Sequence, residues 1–329
     1  MTPPVLDIRG VTKVFRRHGS APLRAVDNAS LHVQAGECVA LVGESGSGKS
    51  TLARIALQLI APESGEVWLA GRSLSALSSA QLRAARLAMQ PIFQDPSAAF
   101  NPRRTVRAIL RQALAQLPGA DVADAALVSL LERVELRPAA DYLDRYPHEL
   151  SGGQRQRLAI SRAIATRPAV IIADEPLSGA DVSIRAQILN LLAELQRDSN
   201  VAYVLVTHDM LVARAFSNRV SVMYQGRMVE EGPTEAVLAA PRHPYTQALI
   251  AAVQSLDEPW DAPVPMRKES APPTQHGCAF FPRCGISGLK CTSVVPDLRE
   301  IDAAHRVACH FALGNRSSGD TQHAQADVQ

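Results

Sequence analysis

The chain has 329 residues, 47% apolar and 20% charged, with a formal net charge of +2. That is an ordinary globular composition, with enough chain for two domains. The small charge and scattered basic residues argue against an electrostatic nucleic-acid binder, and 4% aromatic content leaves no stacking platform for single strands. No apolar run approaches the ~18 residues of a membrane span. Met1-Thr2-Pro3-Pro4 lacks the basic start and apolar core of a signal peptide. The expectation is a soluble, cytosolic chain that reaches any membrane through a partner.

Residues 5–40 alternate polar and apolar, as at Ala29, Leu31 and Val33 before the Gln34-Ala35-Gly36 turn, and read as short antiparallel strands. Cys38-Val39-Ala40-Leu41-Val42 reads as a buried strand in which Cys38 packs as an apolar residue. Gly43-Glu44-Ser45-Gly46-Ser47-Gly48-Lys49-Ser50-Thr51 follows, and then Leu52, Ile55, Ala56, Leu59 and Ile60 at helical spacing. Strand, glycine-rich loop and helix together make this string a phosphate-binding loop. Its glycines let backbone N–H groups converge on phosphate oxygens. The helix N-terminus adds unpaired donors and partial positive charge. Lys49 is placed to reach the β- and γ-phosphates, and the Ser50 hydroxyl to bind Mg²⁺. The chain is therefore expected to bind a nucleoside triphosphate.

Residues 81–165 carry helix signals, with Leu127, Leu130, Leu131 and Val134 at helical spacing and Pro118-Gly119 and Pro147-His148 as punctuation. Ser151-Gly152-Gly153, taken alone, is a turn with an N-capping serine. Residues 169–173 and 201–206 are short apolar runs typical of buried parallel strands. Between them Ile184, Ile188, Leu191, Leu192 and Leu195 mark an amphipathic helix. The first of these runs ends in Asp174-Glu175. Opposite a phosphate loop, Asp174 suits the metal, through water, and Glu175 suits polarisation of the attacking water. Val220–Tyr224, a Gln225-Gly226 turn and Arg227–Val229 read as a hairpin. The core is α/β with an inserted helical segment. Near residue 256 the composition shifts. Pro259, Pro263, Pro265, Pro272 and Pro273 argue for an extended linker. Cys278, Cys284, Cys291 and Cys309 follow, separated by five, six and seventeen residues, and the chain beyond Gly314 is polar without periodicity.

At Leu150-Ser151-Gly152-Gly153-Gln154 the chain resembles the ATP-binding subunits of ABC transporters, whose signature is this pentapeptide. The resemblance covers about residues 5–250, with the other family motifs in family order. It implies a P-loop NTPase core with an antiparallel β subdomain and an inserted α-helical subdomain. Phe15 matches the aromatic that stacks on adenine. Gln94, in Phe93-Gln94-Asp95-Pro96, matches the glutamine that contacts Mg²⁺ beside the transporter-coupling surface. His208 matches the switch histidine at the γ-phosphate. Such domains work as head-to-tail pairs, so Ser151, Gly152, Gly153 and Gln154 are expected to serve the partner's ATP. ATP closes the pair and hydrolysis opens it. One departure stands out. Where the family usually continues Thr-Ser-Ala-Leu-Asp after the acidic pair and proline, this chain has Leu177-Ser178-Gly179-Ala180-Asp181.

Arg242-His243-Pro244-Tyr245-Thr246-Gln247-Ala248-Leu249 resembles the segment that follows the ATPase domain in peptide, dipeptide and nickel importers. Gly277–Cys284 and His305–His310 resemble the C-terminal extension of that subfamily. Arg145–Glu149 and Asn101-Pro102-Arg103 fit it too. The four cysteines lack C-x₂-C zinc-ribbon spacing. The resemblance implies a [4Fe–4S] cluster there, with Zn²⁺ as the alternative. A segment this small, with few large apolar side chains, is also expected to need a staple. The division expected is an ATPase domain over 1–255, a proline-rich linker over 256–273, a cysteine-rich domain over 274–313 and a tail over 314–329.

The function implied is ATP hydrolysis energising import of peptides or related small solutes. A second ATPase subunit, two transmembrane permeases and an extracytoplasmic binding protein complete the expected complex, on the cytoplasmic face of the bacterial membrane. Residues 94–104 are expected to form the cleft that receives a permease helix. A soluble ABC-type ATPase of DNA repair or translation, and an exporter ATPase, are the rival readings.

Overall fold

A computed structural model describes residues 3–16, 19, 21–178, 181–254, 266 and 276–312. The altered loop positions Gly179 and Ala180, the linker apart from Met266, and the tail beyond 314 lie outside the described residues.

The chain opens with β1 (Leu6–Phe15), β2 (Leu23–Val33) and β3 (Cys38–Val42), followed by α1 (Lys49–Ala56), β4 (Ser64–Leu69) and β5 (Arg72–Ser73). Next come α2 (Ser79–Ala85), β6 (Met89–Ile92), α3 (Val106–Leu114), α4 (Asp124–Arg133) and α5 (Gly152–Ile164). The second half of the core holds β7 (Val170–Asp174), α6 (Val182–Ser199), β8 (Ala202–Thr207), α7 (Met210–Phe216), β9 (Arg219–Tyr224) and β10 (Arg227–Pro233). It ends with α8 (Thr234–Ala239) and α9 (Pro244–Gln254), and the C-terminal segment adds α10 (Lys290–Ser293), β11 (Arg299–Asp302) and β12 (His305–Val307).

Two sheets organise these elements. A four-stranded antiparallel sheet runs β2-β1-β4-β5, and an eight-stranded mixed sheet runs β11-β12-β10-β9-β3-β8-β7-β6. Strands β3, β8, β7 and β6 are mutually parallel. They are apolar on both faces, as parallel strands between helices must be. Every residue of β3 is at most 1% exposed. The β9–β10 hairpin turns through Gln225 and Gly226, both at positive φ, the backbone of a two-residue primed turn. The inserted helices α3, α4 and α5 share one apolar core with α6 and the buried face of β7. The antiparallel sheet packs on α1 through Leu6, Ile8, Val67, Leu52 and Ile55.

The cysteine segment does not stand on a core of its own. Strand β12 pairs with β10, matching Glu230 with Val307 and Glu231 with Arg306. Phe280 is 2% exposed and lies in the same apolar cluster as Val42, Tyr224 and Tyr245. Ladder and shared core tie the segment to the rest of the fold.

Candidate active site

The parallel strands place their carboxyl ends along one edge of the sheet, where ligands of open α/β sheets bind. The loop after β3 carries Gly43 to Gly48. Strand β7 ends in Asp174, and the loops after β6, β7 and β8 carry Gln94, Glu175 and His208. Residues far apart in sequence therefore meet because four strands end together.

Within the phosphate loop, Gly48 sits at φ 106°, and a Cβ there would lie 2.2 Å from the Ala25 carbonyl. Gly46, at φ 82°, faces open space. Only glycine adopts the first conformation without collision, and the second leaves the loop's rim clear. Ser47 is buried, and its hydroxyl has no hydrogen-bond partner. An orphaned buried hydroxyl in this loop fits a site whose missing acceptor is a phosphate oxygen. Lys49 is buried as well, with Nζ donating to the carbonyls of Gly43 (2.7 Å) and Glu44 (2.9 Å). Burial pulls the pKa of its ammonium down, and Glu175, Asp174 and Glu44 work against that shift. The cation is thus held where an anion would relieve it.

The acids face the loop. The Ser50 hydroxyl donates to Asp174 Oδ1 at 3.0 Å. Burial pushes the Asp174 carboxyl up, with the Ser50 bond and the nearby Arg54 and Lys49 opposing. A hydroxyl and a half-buried carboxylate in contact form an oxygen pair suited to Mg²⁺. Glu175 adopts φ 47°, a left-handed backbone uncommon for a non-glycine residue. Its N–H donates to the Val206 carbonyl at 2.9 Å, which fixes the turn. Strain of this kind is held where it aims a side chain. The Glu175 carboxylate accepts from Gln94 Nε2 at 3.0 Å and lies 3.3 Å from His208 Nδ1. Gln94 also reaches Ser178 Oγ at 3.3 Å.

Two expected groups stand apart from this cluster. Phe15 ends β1 with 39% of its surface exposed, and Lys13 Nζ lies 5.8 Å from the ring centroid. Ser151 caps α5: its hydroxyl accepts from Gln154 N (3.3 Å), and its own N–H donates to Gln154 Oε1 (2.9 Å). Ser151 and Gly152 are exposed, so the α5 N-terminus faces outward. The remaining loop residues, Ser45 and Thr51, follow the backbone of the loop and α1.

A cleft of about 550 Å³ opens between β6 and the inserted helices, lined by Gln90, Phe100, Asn101, Arg104, Gln112 and Arg162 among others. Part of the expected range 94–104 lines this cleft, from Ala99 to Asn101 and at Arg104. Gln94 turns to Glu175.

The cysteines do not meet the metal expectation as placed. Among the described residues no group of three or more His, Cys, Asp or Glu side chains is arranged to hold an ion. No cysteine is in a disulfide. Burial raises the Cys309 thiol to about 12 and the Cys278 thiol to about 11, and the neighbouring thiols add to both.

Sequence reasoning missed two residues that touch the loop. Tyr245 accepts a hydrogen bond from Glu44 N at 2.7 Å, and Arg283 forks onto the Glu44 carboxylate. Both lay inside motifs read only for their resemblance.

A phosphate loop facing two acids, a glutamine and a histidine at the ends of parallel strands defines a P-loop ATPase of the ABC type. The ABC transporter family matches residues 26–178, and the oligopeptide/dipeptide transporter C-terminal region matches residues 229–291. The probable peptide ABC transporter ATP-binding protein y4tS of Sinorhizobium fredii is 44% identical, over 88% of this chain and 82% of its own. The oligopeptide transport ATP-binding protein AppF of Bacillus subtilis is 38% identical, over 93% of this chain and 97% of its own. A dimeric ATP-binding cassette in a post-hydrolysis state bound to ADP and Pi superposes with a TM-score of 0.63 at 30% identity, over 70% of this chain and 98% of that one. The chain belongs to the ATP-binding subunits of ABC transporters, in the group that carries the oligopeptide/dipeptide C-terminal region, and is an ATPase.

Proposed function

We propose that this chain hydrolyses ATP to drive import of peptides or related small solutes, as a peripheral subunit on the cytoplasmic face of the bacterial membrane. The observation that carries the reading is the convergence on Glu175 of Gln94 and His208, beside Ser50 and Asp174. Lys49 and the loop N–H groups hold the triphosphate, and Phe15 takes the adenine. Ser50, Asp174 and Gln94 would hold Mg²⁺, which would supply neutralisation of phosphate charge. Glu175 accepts the proton of the attacking water, with His208 orienting the γ-phosphate side. The exposed N-terminus of α5, from Ser151 to Gln154, supplies N–H groups to the nucleotide of a second ATPase subunit.

The cargo class rests on relatives named for peptide and oligopeptide transport and on the matching C-terminal region. These relatives give no support to a repair, translation or export role. No helix among the described residues is long and apolar enough to cross a membrane. In this reading two permeases supply the path and an extracytoplasmic binding protein the cargo. The 550 Å³ cleft receives a cytoplasmic permease helix. Residues 1–255 form the ATPase domain, 256–273 the linker, 274–313 the cysteine-rich part and 314–329 the tail.

The test is co-expression with permease subunits of a peptide importer. The chain should co-purify with them, and ATPase in the reconstituted complex should rise with peptide-loaded binding protein. Turnover indifferent to permease and peptide would reject the importer reading.

A separate, smaller proposal is that Cys278, Cys284, Cys291 and Cys309 take up an iron–sulfur group. Its support is the occurrence of four cysteines, none in a disulfide, within one short segment. Loading would have to deprotonate the thiols and draw them together, and no step of hydrolysis runs through it. Iron and sulfide at about four each per anaerobically purified chain would support it. Four thiols alkylated in the native protein would reject it.

A further inference from the structure

Glu44 occupies the second position of the phosphate loop, yet its side chain points to neither Lys49 nor Ser50. Arg283 Nη1 donates to Glu44 Oε2 at 2.9 Å and Nη2 donates to Oε1 at 3.0 Å, across 239 residues of sequence. This is the parallel two-bond fork that guanidinium makes with carboxylate, stronger and more directional than a single-point ion pair. The guanidinium itself is fixed from behind. It lies 5.7 Å from the ring centroids of both Tyr224 and Phe280. Phe280 in turn is boxed by Tyr224 at 5.3 Å and by Tyr245 and His243 at 5.6 Å.

The backbone of the same residue is held as well. Glu44 N–H donates to the Tyr245 hydroxyl at 2.7 Å, and the Glu44 carbonyl accepts from Lys49 Nζ at 2.9 Å. One residue therefore links the nucleotide-binding lysine to a tyrosine of α9 and an arginine of the C-terminal segment. The segment is anchored to the core by the β10–β12 ladder, so it can resist displacement of the loop.

We propose that the C-terminal segment is a strut for the nucleotide site, in which Arg283 holds the phosphate loop through Glu44 and thereby sets affinity for nucleoside triphosphate. The inference rests on the loop being the ATP site. Two physical effects act in one direction. The fork restrains a glycine-rich loop whose ordering otherwise costs entropy on binding. It also neutralises a carboxylate that would repel the triphosphate. Arg283 is a positioning residue. It acts on binding and leaves Glu175, Gln94 and His208 alone, so the effect belongs in KM and not in kcat.

The experiment titrates the full chain with a fluorescent ATP analogue and Mg²⁺ and measures steady-state ATPase. Because the pair is partly exposed, Arg283→Ala should weaken affinity by about three- to fivefold. KM should rise in step while kcat stays within about twofold. Arg283→Lys, which keeps charge and stem but loses the fork, should fall between wild type and Arg283→Ala, and it serves if the alanine variant unfolds the segment. In the Glu44→Gln background, Arg283→Ala should add nothing, since its partner charge is already gone. Additive losses, a fall in kcat at unchanged KM, or wild-type affinity in both Arg283 variants would each overturn the strut. Lys49→Ala serves as the separate check. Unchanged nucleotide affinity there would condemn the phosphate-loop reading itself, whatever the Arg283 variants do.

Discussion

Replacing Glu175 by glutamine removes a charge without removing a shape. The carboxylate makes two side-chain contacts, to Gln94 Nε2 at 3.0 Å and to His208 Nδ1 at 3.3 Å. In Glu175→Gln the amide oxygen can still accept from Gln94, and the amide NH₂ can donate to a neutral His208 ring nitrogen. The strained turn keeps its N–H bond to Val206. No cavity forms and no buried donor is orphaned, so folding stability should change little. Two things are lost: the base, and a negative charge that bears on both Lys49 and Asp174. Loss of the base should cost ~10²- to 10⁴-fold in turnover, or about 3–5 kcal/mol of barrier. Loss of the charge reduces repulsion toward a triphosphate, so ATP affinity should hold or increase. Steady-state ATPase of the reconstituted complex, paired with equilibrium binding and size-exclusion in MgATP, separates the two effects. The expected result is a silent enzyme that binds ATP normally and runs as a dimer. Turnover within about tenfold of wild type would refute the assignment of Glu175 as base.

A photo-reactive amino acid at Asn101 or Gln112, which line the cleft beside β6, should cross-link to a cytoplasmic segment of a permease; silence in every nucleotide state would reject the cleft as the docking site. His243 is buried, its Nδ1 accepts from Tyr245 N at 3.0 Å, and burial lowers its pKa to about 4, against the favourable charge of Glu230. The folded chain therefore refuses a proton that the unfolded chain takes up below its ordinary value of ~6.5. This contribution is full above ~6.5 and is lost as pH falls toward 4, worth at most about 3 kcal/mol. Amide exchange around Glu230, Tyr245 and Val307 should accelerate between pH 6.5 and 4.5, and exchange independent of pH once intrinsic rates are divided out would contradict it.

The phosphate loop and the Asp174-Glu175 pair were legible in sequence because each comes where a buried apolar strand stops, whereas Gln94 and His208 were read only through the family resemblance. Val42, Ala173 and Val206 end runs that any hydrophobicity pattern marks, and the polar residues after them must lie at a sheet edge. The β9–β10 hairpin was legible for a similar reason, since Gln225-Gly226 allows a two-residue turn. Contacts among loops were not legible. That Gln94 turns to Glu175 and leaves the cleft depends on a turn whose direction has no sequence period. The Arg283–Glu44 fork was hidden for a different reason. Its partners lie 239 residues apart, and each belonged to a motif that already had an explanation. Interactions that close long loops leave no local trace.

The cysteine segment shows what a size argument leaves out. A segment this short buries too little surface to fold alone, and the inference to a metal staple follows only if it must fold alone. Instead the segment borrows an existing core. Phe280 fills an aromatic box whose other walls are Tyr224, Tyr245 and His243, all from the ATPase domain. Glu230 is fully buried in β10, and its carboxylate is met by His305 from β12 at 2.7 Å and by the N–H groups of Arg242 and His243 at 2.6 and 2.9 Å. A buried carboxylate stripped of those partners would be strongly destabilising, so the last strands of the ATPase domain need the extension as much as it needs them. That dependence makes a strut physically workable. A free-standing, metal-stapled module on a linker could carry an arginine to the loop but could not hold it there. A module that completes the core's own sheet can.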